Sequence, residues 1–298
     1  MKIFFKKLII FIIIIICVDF IFGVIIKKII KSAIGGETAV EKYISDGANE
    51  DIIILGSSRA SHHYIPQLFG DSLGLSCYNL GLDGNGIILM YGRIKMILNY
   101  HSPKFIIYDI FPPFDINIGD DNVKYLDRLK YHYSDSSINK IFQIVDKTET
   151  YKMNSHMYRY NSKILQIIND TYQYSDDHHK GYLPLYGIID KFPQNNHKKE
   201  RIPKDKIKLD FLEQLIIDIP KDCKLIFTIS PYYFQQNEEY INSIKILCDK
   251  YKIPLLDFSC DPFFNENKNL FKDSYHLNNE GAIIYTNYVI KELIKHIE

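Results

Sequence analysis

"ILGSSRASHHY", residues 54–64, closes an aliphatic run that begins at Asp51. Strand-forming Ile and Leu stop at Gly56, and two serines, an arginine and two histidines follow at once. In an α/β protein the carboxyl end of a strand is where side chains meet a ligand. The same letters also describe an ordinary polar turn. A serine is a useful nucleophile only with a base in reach, so partners elsewhere in the chain decide between the readings.

Four more runs have strand length: Ser76–Leu80, Phe105–Ile110, Lys224–Ile229 and Pro254–Phe258. They are short, mostly β-branched or aromatic, and are bounded by Gly, Pro, Asn or Ser. Between them, 87–100, 207–219 and 238–251 place apolar residues on one helical face, as does the stretch from Asn278 through Ala282, Val289 and Leu293 to Ile297. Strands alternating with helices predict an α/β fold: a parallel sheet in three layers, helices on both faces.

The third and fourth strands are separated by a long insertion, roughly 112–205. Ten tyrosines lie between Tyr125 and Tyr186. They either pack the insertion's own small core or form an aromatic platform for a sugar or acyl substrate; a connection this long needs structure of its own or acts as a lid.

The chain opens with residues 1–31 as a membrane anchor. Leu8–Ile26 contains a single charge, Asp19. At helical rise this run spans about 28 Å, close to a hydrocarbon core. It ends in Lys27, Lys28 and Lys31 with no small-x-small cleavage site, which favours a retained signal anchor over a cleaved signal peptide. Lysines flank both ends, so charge does not set orientation. The short tail before the run makes an inside N-terminus the simpler expectation, with the rest extracytoplasmic. Residues 32–48 are polar and are expected as a short linker or helix before a domain covering 49–298.

The chain has 298 residues, with 36 basic and 36 acidic side chains. This balance speaks against nucleic acid as a partner. Five cysteines show no C-x-x-C pair and no zinc-like spacing, so they are expected as small buried side chains, with a disulfide among the last four left open. No metal site is expected: Asp176–Lys180 (DDHHK) reads as a solvated loop, since adjacent histidines do not easily share an ion.

The partners for a serine lie near the C-terminus, in NLFKDSYHLNNEGA (269–282). Asp273 and His276 are spaced so that the carboxylate can bond one imidazole nitrogen and leave the other facing outward. Asn278 and Asn279 are good N-caps, so a final helix is expected to start there. A serine at a strand end, with Asp-x-x-His before the last helix, is the pattern of a Ser-His-Asp triad.

At these residues the chain resembles the SGNH, or GDSL-like, hydrolase superfamily. ILGSSRA resembles that family's first block and aligns Ser58, not Ser57, with its nucleophile. YNLGLDGNG (78–86) resembles the second and aligns Gly84 with the oxyanion donor; Asn79 leads the block as a structural residue. DSYHLNNEGA resembles the last, with Asp273 as orienter and His276 as base. The resemblance implies a flavodoxin-like sheet and no cofactor, and it covers about 50–110 and 222–298. The family's third block, Gly-x-Asn-Asp, is absent: IIYDIFPPFD (106–115) stands there. Asp109 occupies that neighbourhood, and an ionised carboxylate would repel an oxyanion. Backbone N–H groups of Ser58 and Gly84 would then serve; loss of one donor elsewhere costs about 10²–10³ in rate.

The Gly-Ser-Ser variant and the anchor resemble the branch that acylates bacterial envelope glycans alongside a membrane-bound O-acyltransferase. The expected function is a serine-dependent O-acyltransferase or esterase acting on an envelope polysaccharide or acylated glycan. The alternative is a non-catalytic glycan-binding or scaffold module, and a lipase-like esterase is a third. Arg59 is expected as an ion-pair partner or a contact for an anionic substrate. His62 and His63 are expected as surface or packing residues. Pro231 and Tyr232, in SPYYF (230–234), are candidate pocket residues.

Overall fold

The computed structural model describes residues 1–119, 121–174, 179–190, 203–233 and 241–297. The elements run α1 (Lys2–Lys31), α2 (Gly36–Asp46), β1 (Ile52–Gly56), α3 (Ser58–His63), α4 (Pro66–Leu73), β2 (Cys77–Asn79), α5 (Ile87–Leu98) and β3 (Phe105–Asp109). Then come α6 (Pro112–Asp115), α7 (Ser136–Val145), α8 (Lys147–Lys152), α9 (His156–Tyr160), α10 (Ile164–Asn169) and α11 (Lys206–Asp218). The chain ends with β4 (Lys224–Ile229), α12 (Asn242–Tyr251), β5 (Leu255–Asp257), α13 (Pro262–Asn265) and α14 (Asn279–Ile297). Each expected strand is present: β4 has the expected bounds, β1 is shifted by one residue to include Gly56, and β2, β3 and β5 are shorter by one or two residues.

These elements form two compact units. The larger comprises Asn49–Ile94, Tyr100–Asp121 and Asp177–Glu298. Its five strands are all parallel, in the order β2-β1-β3-β4-β5. This is the flavodoxin-like order, whose switch point lies between β1 and β3. The strands are apolar on both faces because both are covered. Ile52, Ile54, Ile107 and Ile226 pack with Tyr64, Phe69, Tyr285, Val289 and Leu293 from α4, α14 and the turn after α3. The alternate residues Ile53, Leu55, Ile106 and Tyr108 are equally buried. On that side Tyr108 donates to Asp115, which also accepts the Ile87 N–H at the start of α5.

Local chemistry fixes the helix ends. Pro66 opens α4, and left-handed Gly74 closes it. Asp205 caps α11 through the N–H groups of Ile207 and Lys208. Asn278 accepts the Gly281 N–H and caps α14.

The smaller unit comprises Met1–Ala48, Lys95–Asn99 and Asn122–Asp176. Residues 32–48 contain the helix α2 rather than an extended connection. Asp170 accepts from both the N–H and the hydroxyl of Thr38 in the first turn of α2. Glu37 pairs with Arg128 and Lys163, each at 2.8 Å. The insertion is thus divided: 122–176 packs with the N-terminal segment, and the rest belongs to the sheet unit. Tyr125, Tyr133 and Tyr160 are buried, while Tyr151, Tyr172 and Tyr174 are exposed. Part of the tyrosine-rich stretch is therefore core.

Cys77, Cys223 and Cys248 are buried thiols, as expected; Cys17 and Cys260 are exposed, and all five are free. Burial drives the Cys77 thiol well above its usual range and the Cys223 and Cys248 thiols to about 12.

The strand-to-helix junction after β1 depends on Gly56, whose φ is +144°. A Cβ there would sit 2.7 Å from the Asp109 carbonyl oxygen and 2.9 Å from the Ala60 Cβ. Gly56→Ala is expected to destabilise the protein by roughly 2–5 kcal/mol, strain and overpacking together. Gly74→Ala, equally left-handed but with open space around its Cβ position, is expected to cost only about 1 kcal/mol. Denaturant unfolding of the two variants tests this contrast.

Candidate active site

At the end of β1 a single residue separates the strand from α3. Ser57 is the N-cap of α3, its side chain accepting from the Arg59 N–H. Ser58 is the first helical residue, and its Oγ lies 2.8 Å from Nε2 of His276, 218 positions away. His276 Nδ1 lies 3.0 and 2.9 Å from the two oxygens of Asp273. Asp273 Oδ1 also accepts the N–H groups of Tyr275 and His276. Burial works against its ionisation, yet the His276 and backbone bonds hold its carboxyl below the usual range. An ionised Asp273 keeps the proton on His276 Nδ1 and leaves Nε2 free to accept the Ser58 hydroxyl proton.

The histidines beside Ser58 are not surface residues: His62 is 7% exposed and His63 is fully buried. Both brace the site. His63 Nε2 accepts the N–H of Leu277, next to the candidate base. An accepting nitrogen requires the neutral ring. Burial, with the nearby charges of Arg59, His276 and His62, pushes this histidine well below its usual range. His62 has the opposite environment. Its Nδ1 faces the Leu183 carbonyl at 2.6 Å and its Nε2 faces Asp83 at 3.3 Å. Two acceptors favour the doubly protonated ring, so despite burial its pKa is raised. The His62 and His276 rings meet edge to face at 5.6 Å.

Asp83 lies in the loop that carries Gly84. Its carboxylate also accepts from Ser61 Oγ at 2.7 Å, so two residues of α3 hold this loop. The His62 bond, acting against burial, keeps its carboxyl low. Asn85 bonds back to Leu82 and Asp83, forming a tight turn in which Gly84 has φ +68°. Asn79 is structural: its amide donates to the Ala60 and Tyr64 carbonyls, and its oxygen accepts the Gly81 N–H.

Asp109, at the third-block position, points into the interior and is fully buried. Its Oδ1 accepts from the Ser230 N–H, the Ser230 hydroxyl and the Tyr64 hydroxyl. Burial raises its pKa, against the pull of Arg59 and these donors. Arg59 is also fully buried, with Nε 3.8 Å from Asp109 Oδ2. The guanidinium lies 4.0 Å from the Tyr232 ring centroid and donates to the Ser230 carbonyl. Arg59 is therefore an interior ion-pair partner in this structure, and Pro231 and Tyr232 are buried with it.

The exposed aromatic of the site is Tyr275, between Asp273 and His276, 40% exposed. It meets Phe111 and Tyr232 edge-on at 6.0 and 6.2 Å. Sequence reasoning missed Asp83 and Tyr275 as participants. Both lay inside quoted motifs, but only spatial proximity gives them roles. Phe234, Asp176, Asp177 and His178 fall outside the described residues. Among the described residues no cluster of His, Cys, Asp or Glu is arranged to hold a metal ion.

No protein-family model and no curated protein sequence matches the chain. Among solved structures it is similar to "a putative platelet activating factor from Streptococcus pneumonia", at 15% identity and TM-score 0.42, over 86% of this chain and 90% of that one. It is also similar to a gut microbial diltiazem-metabolizing enzyme, at 10% identity and TM-score 0.41, over 82% of this chain but only 46% of that one.

The two neighbouring histidines predict opposite limbs of a pH–stability curve. His63 is neutral when folded but protonates when unfolded, so stability is lost as pH falls below about 6.5. His62 has a raised folded pKa, so its contribution is complete below about 6.5 and is lost as pH rises through the folded value. Asp83→Asn is expected to flatten the upper limb and leave the lower one. Thermal midpoints measured across pH check this; an unchanged upper limb would exclude the His62–Asp83 pair as its source.

Proposed function

We propose that this chain is a serine-dependent acyl-transfer enzyme, with Ser58 as nucleophile, His276 as base and Asp273 as orienter. The observation that carries the reading is the continuous hydrogen-bonded line from Ser58 Oγ through the imidazole to Asp273. Its location at the switch point of the sheet supports it, as does the resemblance to the SGNH superfamily.

In this mechanism Ser58 attacks an acyl carbonyl while His276 Nε2 takes its proton. Asp273 stabilises the imidazolium without taking the proton. The Ser58 and Gly84 N–H groups are the assigned oxyanion donors, since Asp109 is occupied in the interior. Collapse expels an alcohol, which takes the proton from His276. The acyl-Ser58 ester is then attacked by water or by a sugar hydroxyl, His276 again acting as base. We assign the acceptor to a cell-envelope glycan, with a membrane-bound O-acyltransferase as acyl-supplying partner.

We also propose that α1, which is long and apolar enough to cross a membrane, anchors the chain with the sheet unit outside the cytoplasm. The second reading is a non-catalytic glycan-binding module. The inward-turned Asp109, in place of a side-chain oxyanion donor, favours it.

A fluorophosphonate probe is expected to label the wild type and Ser57→Ala, and not Ser58→Ala. Ester turnover is expected to fall by about 10³-fold or more in His276→Gln and by about 10²–10⁴-fold in Asp273→Asn. Equal labelling of Ser58→Ala would remove the assignment. Glycan retention by the wild type and Ser58→Ala alike, with no labelling of either, would support the binding module.

A further inference from the structure

Asp19, the one charge in the apolar run of α1, is fully engaged. It accepts from Ser155 Oγ at 2.7 Å and from the His156 and Met157 N–H groups at 2.9 and 2.8 Å, and lies 3.2 Å from His156 Nδ1. These donors form the start of α9. The same face of α1 continues the contact. Gly23 abuts the His156 ring, where a Cβ would sit 2.3 Å away. Ile26 packs with Tyr160 and Ile167, with Phe22, Ile29 and Ile30 alongside.

This contact fixes a depth. At helical rise Asp19 is about 18 Å along the axis from Lys7 and about 12 Å from Lys27. A hydrocarbon core is about 30 Å thick. With α1 across a bilayer between its lysine clusters, Asp19 lies about 12 Å inside the Lys27 edge, less if the helix tilts. The start of α9 is bonded to it and lies at the same depth. A charge there is costly unless paired, and backbone donors there must be satisfied within the protein. Asp19 and the first turn of α9 meet both demands together.

The surface of α9 and α10 fits such a position. Met157, Leu165 and Ile168 are 44%, 84% and 38% exposed. Leu165 and Ile168, three apart, share one face of α10, while Ile167 is turned into the cluster with Ile26. Tyr172, 81% exposed, follows, and its amphipathic ring suits a headgroup boundary. Both cations of the segment are turned inward: Lys163 onto Glu37 and Asp127, and Arg159 onto the Tyr133 ring. Asn161, Ser162 and Asn169 are the exposed polar residues, at the helix ends.

We propose that α9 and α10 are seated in lipid beside the C-terminal half of α1, α9 starting inside the hydrocarbon at Asp19 and α10, packed on Ile26 one residue before Lys27, lying at the acyl–headgroup boundary. The protein would then hold the membrane by a clasp as well as by a spanning helix. This rests on the reading of α1 as the membrane anchor.

The chain contains no tryptophan, so single-tryptophan variants report their own depth. Full-length Ile12→Trp, Leu165→Trp and Ile168→Trp would be reconstituted in phosphatidylcholine vesicles whose acyl chains are brominated at shallow or deep positions. The expected result is blue-shifted emission at residues 165 and 168, lost most with shallow bromines and insensitive to aqueous iodide. Ile12→Trp is expected to lose most with deep bromines. Iodide quenching at 165 and 168, without bromine quenching, overturns the clasp. Quenching by neither agent means a protein surface covers α10, and also overturns it. Failure of bromine quenching at residue 12 would instead remove the anchor reading.

Discussion

At the end of β1 the backbone passes so close to β3 that no side chain fits. Gly56 and Asp109 are register partners, and the Asp109 carbonyl closes over the glycine. The chain therefore leaves the sheet in a conformation open to glycine, and α3 begins two residues later. Successive residues of a helix point about 100° apart. Ser58 consequently reaches the rim, with its hydroxyl on His276, while Arg59 enters the interior. The nucleophile candidate and the buried cation are products of one turn. Asp109 serves both: its carbonyl shapes the turn and its carboxylate faces the guanidinium.

That double role commits Asp109 to the interior. A fully buried arginine carries a desolvation cost of several kcal/mol, which a nearby carboxylate and hydrogen bonds must offset. Asp109, the Ser230 carbonyl and the Tyr232 ring do this at the point where Arg59 enters. A neutral side chain at 109 would leave the guanidinium without a counter-ion. On the other side of Ser58, Ser61 and His62 hold the Gly84 loop through Asp83.

Much of this could be read from the sequence because it is local. Short runs of strand length, mostly β-branched or aromatic, predicted the five strands, and Asn278 predicted the start of α14. Asp273 and His276 are three residues apart, so their pairing needs only one turn of chain. The Ser58–His276 contact is not local, but motif order stood in for it. What stayed hidden depends on distant surfaces. Nothing in SHH, residues 61–63, reveals that His62 meets a loop aspartate while His63 supports the residue after the base. Residues 32–48 are polar overall, so the burial of Thr38, Glu41 and Ile44 in α2 has no simple periodic signal. Asp19 read as a blemish in an apolar helix because its partners lie more than 130 residues away.

The three histidines around Ser58 show how one small region sets several charge states. His62 faces two acceptors and is favoured as a cation. His63 accepts a backbone N–H in a buried setting and is favoured neutral. His276 faces a carboxylate on one nitrogen and the Ser58 hydroxyl on the other. Environments that separate the charge states of like groups are a mark of acid–base machinery. Here the separation also follows from geometry: residues 62 and 63 of one short helix cannot point the same way. The two histidines nearest Ser58 in sequence are each held by hydrogen bonds to other elements. The histidine that meets the Ser58 hydroxyl instead arrives from the far end of the chain.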